Sequence, residues 1–108
     1  MQGFHHASLA AGRWQMFTLA EQLGNIGSEV SRAIKARSDQ KRFEGAVDRA
    51  LELFDLTLAD PRWRKRLKEI ARARELFCDA VWGGEYGTTL EDLDKYFFFF
   101  ALAARGKR

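Results

Sequence analysis

Residues Lys95–Arg105 read KYFFFFALAAR, and the choice between strand and helix here decides the fold. The flanks favour a helix. Thr88 and Glu91 have the spacing of a capping box. Leu90, Leu93, Phe97, Ala101 and Ala104 then recur at steps of three and four, and Gly106 supplies a stop. At about 100° per residue, Leu90, Leu93, Phe100, Ala101 and Ala104 fall within roughly 60° of Phe97 and define a core face. Phe98 lies near 100°, Leu102 near 140° and Phe99 roughly opposite Phe97. A single bundle leaves Phe98, Phe99 and Leu102 in water, and a contiguous apolar patch of that kind marks an interface.

Three more helical periods precede this one. Met16, Leu19, Leu23, Ile26, Val30 and Ala33 make the first, ending near Arg37-Ser38-Asp39. Phe43, Val47, Ala50, Phe54 and Leu58 make the second. Asp60-Pro61 then punctuates the chain, with Asp as N-cap and Pro in the first turn of a third helix. Trp63, Leu67, Ile70, Phe77 and Val81 carry that helix to Gly83-Gly84. Four helices of about 17 to 23 residues with short connections predict an all-α, antiparallel up-down-up-down four-helix bundle. Its expected limits are residues 14–105, after a flexible arm over 1–13 and before a basic tail over 106–108.

The bulk numbers agree with a helical domain. Of 108 residues, 46% are apolar and 31% charged, which is too hydrophobic for disorder and typical of solvated helices. The length suits one domain. Cys78 is the only cysteine, so neither an internal disulfide nor a cysteine metal cluster can form. The sequence holds no apolar run of the roughly 18 residues that a membrane span needs. Its start lacks the basic n-region of a signal peptide. The expected compartment is the cytoplasm.

Catalytic signals are absent. The two histidines, His5 and His6, precede the first helix, so the Glu-x-x-His pairs of di-metal bundles are missing. No HExxH, phosphate-binding glycine loop or nucleophile elbow occurs. Glu91, Asp92 and Asp94 sit where negative charge complements a helix dipole. Cys78 reads as a small buried hydrophobe. The expectation is a protein without catalysis, cofactor or metal.

Two features invite a binding role. Residues 62–74 read RWRKRLKEIARAR, with seven Lys or Arg against one Glu. Antiparallel topology brings the start of the third helix to the end of the fourth. Arg62, Arg64, Lys65, Arg66, Lys68 and Arg72 would then join Arg105, Lys107 and Arg108 in a cationic end, a candidate grip on RNA or DNA phosphates. A solvated basic helix is the competing reading. The second feature is a stripe of small residues, Ala20, Gly24, Gly27 and Ser31. Interior glycines weaken a helix by about 1 kcal/mol each, so Gly24 and Gly27 imply close approach by another helix, within the bundle or between subunits. The polar band Glu21, Asn25, Ser28, Glu29 and Arg32 is either a solvated face or a recognition strip.

Length, four helical periods, a basic surface and an apolar last helix resemble a group of small bacterial four-helix-bundle proteins. These are related to the 23S rRNA intervening-sequence protein and to the accessory variability determinant of diversity-generating retroelements. EQLGNIGSEVSRA, DPRWRKRLKEIARARE and LDKYFFFFALAAR also resemble an uncharacterised bacterial family of the same layout. Asn25-Ile26 coincides with the first two positions of the Asn-Ile-Ala-Glu-Gly run of the intervening-sequence branch. The resemblance implies a homo-oligomer, a ring-like pentamer, with nucleic acid and a reverse transcriptase as partners. The functional expectation is a non-catalytic, oligomeric, nucleic-acid-binding accessory protein, with Phe98, Phe99, Leu102, Gly24 and Gly27 at the subunit interface. The alternative is a protein-interaction module whose basic face is merely solvated.

Overall fold

The computed structural model describes residues 12–106. The elements they form are all helices, with no strand among them. The principal helices are α1 (Leu19–Lys35), α2 (Gln40–Leu58), α3 (Leu67–Cys78) and α4 (Leu90–Gly106). A 3-10 segment, Pro61–Arg66, precedes α3, and a π turn, Asp79–Gly83, follows it. A short helical turn over residues 12–14 precedes α1.

Each start has a local cause. Thr18 and Glu21 form a full capping box on α1: the Thr18 hydroxyl accepts from Glu21 N and the Glu21 carboxylate from Thr18 N. Asp39 caps α2 by accepting from Arg42 N. The cap of α4 lies one residue later than the spacing suggested. Thr89 and Asp92 exchange the two bonds, at 3.1 and 3.0 Å, and Glu91 instead pairs with Arg37 in the turn after α1. Met16, placed on the first apolar seam, is exposed, because the chain turns at Thr18 and the seam begins at Leu19.

The third helix departs most from expectation. The residues after Pro61 form a 3-10 segment, and Trp63 takes non-helical angles (φ −102°, ψ 25°). The cause is long range. The Trp63 indole N–H donates to Gln22 Oε1 of α1 at 2.9 Å, which turns the ring inward and breaks the helix. Leu67 is left exposed, and Ala73 replaces it on the seam of Ile70 and Phe77.

The core is one cluster. Leu23, Ile26, Val30, Val47, Ala50, Phe54, Ile70, Phe77, Leu93 and Phe97 are buried together. Phe54 touches both Phe77 and Phe97, with ring centroids 5.8 Å apart in each pair, a geometry favoured beyond simple burial. α1 packs broadly on α4 and α2, while α3 lies on α2 and meets α4 only lightly. Two glycines permit the α1–α4 approach. A Cβ on Gly27 would lie 2.5 Å from Phe97 Cβ, and one on Gly24 would lie 3.1 Å from Ala101 Cα.

A cationic end and an aromatic stripe as candidate functional sites

The basic run sits on a buried polar knot. Asp60 is 2% exposed, and its carboxylate receives Arg62 Nε and Nη2 together with Gln22 Nε2 at 3.1 Å. Arg62 N also donates to it, capping the 3-10 segment. Gln22 in turn gives its amide to the Trp14 carbonyl at 2.8 Å and takes the Trp63 indole. The Trp14 indole donates to Thr57 Oγ1 at 2.9 Å. Four segments are thereby tied at one end of the molecule, and no buried side-chain polar atom among the described residues lacks a partner. The Arg62 guanidinium holds the Asp60 carboxyl down to about 2, and Gln22 adds to the effect.

This knot divides the predicted phosphate grip. Arg62 pairs with Asp60 at 2.7 Å and also donates to the Phe17 carbonyl. Arg66 pairs with Glu69 at 2.7 Å and Arg72 with Glu75 at 2.8 Å. Arg72 also lies 4.8 Å from the Tyr86 ring centroid. Arg64, Lys65, Lys68 and Arg105 are exposed and form no ion pair among the described residues. Phe17 joins the two halves: its carbonyl meets Arg62, and its side chain borders a shallow groove with Ala104 and Arg105. Lys107 and Arg108 lie outside the described residues, as do His5, His6 and the rest of residues 1–11 of the expected arm over 1–13, whose residues 12 and 13 are helical.

The phenylalanine run divides as the helical wheel requires. Phe97 is fully buried and Phe100 half-buried, stacked edge-on with Tyr96 at 5.3 Å. Phe98, Phe99 and Leu102 are 54%, 70% and 44% exposed, a stripe on the outer side of α4. Gly24 and Gly27 have a different place. Their close contact is with Phe97 and Ala101 of the same chain, so the small-residue stripe serves packing within the subunit. Phe98 borders the groove above Gly24, Ser28 and Ala101.

Several other polar groups are occupied internally. Glu29 is buried and accepts from Arg32 at 2.7 Å and Arg49 at 3.1 Å, tying α1 to α2. Asn25 donates to the Glu21 carbonyl, and Ser28 to that of Gly24. The Tyr96 hydroxyl donates to Glu69, and burial with that carboxylate pushes the phenol up to about 12. Hydrogen bonds from Thr89 hold Asp92 below the usual carboxylate range, and Arg37 does the same for Glu91. Cys78 is half-buried, with Arg74 Nη1 at 3.8 Å from its sulfur. Among the described residues no group of three potential metal ligands comes together, and no helix is long and apolar enough to cross a membrane.

Two features escaped the sequence reading. Asp60 looked like a simple cap, and its role as a hub depends on Gln22, far away in the chain. Trp82 carries no sequence signal of its own, and it is 67% exposed on the π turn. Comparison of the chain with family models, with curated proteins and with solved structures finds no match.

Proposed function

We propose that this chain is a non-catalytic, oligomeric accessory protein of the cytoplasm that binds nucleic-acid backbones through one cationic end. Its architecture in this reading is an antiparallel up-down-up-down four-helix bundle. The Arg37–Glu91 pair at one end and the Phe17–Arg105 groove at the other support that arrangement. One observation carries the binding role. Arg64, Lys65, Lys68 and Arg105 keep their charge free of carboxylates, while neighbouring arginines are consumed by the fold. A few phosphate contacts give weak affinity, which oligomerisation multiplies through effective concentration.

Arg64→Glu, Lys65→Glu and Lys68→Glu together should abolish retention of RNA and duplex DNA in a filter assay at low salt, with the helical signal unchanged. Wild-type affinity should fall with salt, at a log–log slope of about −0.9 per duplex contact or about −0.7 per single-strand contact. A wild type that retains neither nucleic acid would sink this reading. One observation favours the competing interaction-module reading: Asp60, Glu69 and Glu75 already neutralise three of the basic residues.

Oligomerisation has its own support in the stripe of Phe98, Phe99 and Leu102. Burying these side chains contributes roughly 1.5–3 kcal/mol each when complete. Light scattering at micromolar concentration should report more than one subunit. Phe99→Glu should reduce the mass to that of one subunit while the helices persist. A soluble wild-type monomer is the contrary outcome.

A further inference from the structure

At the far end of α1 from the cationic cluster, the π turn lays Trp82 beside the first turns of α2. Between them runs a notch of about 360 Å³. Phe43, Val47 and Val81 form its apolar side, with Trp82 as an exposed aromatic wall. Glu44 and Asp48 form the rim. They lie four residues apart on α2, both exposed, and neither joins an ion pair among the described residues. Gln40 Nε2 donates to Glu44 Oε2 at 2.8 Å and holds that carboxylate on the rim.

The wall is held by construction. Asp79 accepts from Gly84 N through its carbonyl, and from Glu85 N and Tyr86 N through its carboxylate. Gly83 packs so closely that a Cβ would sit 2.7 Å from Asp79 Oδ1, and Gly84 has φ +78°. The loop is folded back on Asp79, and π turns of this kind occur often at functional sites. Nothing in this arrangement covers the Trp82 ring, although the other tryptophans are drawn inward by Thr57 and Gln22.

We propose that this notch binds an arginine or lysine side chain presented by a basic segment of a protein partner. The chemistry is complementary on both sides. An indole face attracts a cation held within about 6 Å, two uncompensated carboxylates add charge, and Phe43 and Val81 receive the aliphatic stem. The inference is independent of the phosphate grip. With that grip, it gives the molecule two recognition ends of opposite preference, separated by the length of α1, about 25 Å.

The test uses the full chain and the peptide acetyl-Ala-Arg-Lys-Arg-Ala-amide, with its Glu-Glu-Glu counterpart as control. Calorimetry at low salt should give saturable one-to-one binding of the basic peptide and none of the acidic one. Trp82→Ala should weaken binding about tenfold, Trp82→Phe by less, and Glu44→Lys with Asp48→Lys should abolish it. All these side chains are exposed, so the variants should keep the wild-type circular dichroism. Absence of basic-peptide binding, or binding indifferent to Trp82→Ala, overturns the proposal. So does a fall in subunit mass on Trp82→Ala, which would assign the notch to a second copy of the chain.

Discussion

Replacing Asp60 by Ala is expected to cost about 3 kcal/mol of folding stability. Breaking a buried pair by removing one partner typically costs 3–5 kcal/mol, and the low end applies because Arg62 can turn to water. For a domain of this size the melting point should fall by roughly 12–24 °C. The loss has three parts: an uncapped 3-10 segment, a guanidinium without its counterion, and a Gln22 amide with one acceptor fewer. The pair also makes stability depend on acid. Asp60 titrates near 2 in the fold against an ordinary 3.8. A depressed carboxylate stabilises the fold above its ordinary value and loses that contribution as pH falls through the lowered one. About 2 kcal/mol should therefore vanish between roughly pH 5 and pH 1. Urea melts of wild type and Asp60→Asn should differ at pH 7 and converge toward pH 2. A difference independent of pH would show that the carboxylate's charge contributes nothing.

Gly27→Val is the second large effect, with about 3 kcal/mol lost or the fold abandoned. A Cβ at position 27 already lies 2.5 Å from Phe97 Cβ, so α4 must retreat from α1 and carry Phe97 out of contact with Phe54. A series of alanine substitutions separates packing from helix propensity. Gly45→Ala meets only Arg49 Nη1 at 3.4 Å and should gain up to about 1 kcal/mol. Gly24→Ala, 3.1 Å from the Ala101 backbone, should come out near zero, because the propensity gain and the crowding offset. Gly27→Ala should destabilise by about 1–3 kcal/mol. Thermal melts that rank the three in another order would contradict the close α1–α4 contact.

Much of the core was legible because burial imposes a local period. Leu23, Ile26 and Val30 in α1, Val47, Ala50 and Phe54 in α2, and Leu90, Leu93 and Phe97 in α4 are buried as their spacing predicts. What stayed hidden depends on residues distant in sequence. Periodicity places Trp63 in a continuous helix because nothing nearby in the sequence reveals its bond to Gln22. Thr88–Glu91 has the spacing of a capping box, yet Thr89–Asp92 forms it while Glu91 answers Arg37 across the fold. The basic run shows seven cations to the eye. Only the three-dimensional arrangement separates Arg62, Arg66, Arg72 and Arg74, which are paired internally, from Arg64, Lys65 and Lys68. Glycine spacing in α1 announced a close approach, and Phe97 and Ala101 identify the neighbour.

The dominance of the α1–α4 contact bears on biosynthesis. The first long helix finds its main partner in α4, so a ribosome must have passed α2 and α3 before the two can meet. Until then Leu23, Ile26, Gly27 and Val30 have only α2 to cover them, and α3 adds little to α1. Closure joins Gly27 to Phe97, across α2 and α3, a long loop by the standards of helical proteins. A nascent chain truncated before Leu90 therefore keeps an open apolar trough along α1, the kind of surface that chaperones hold.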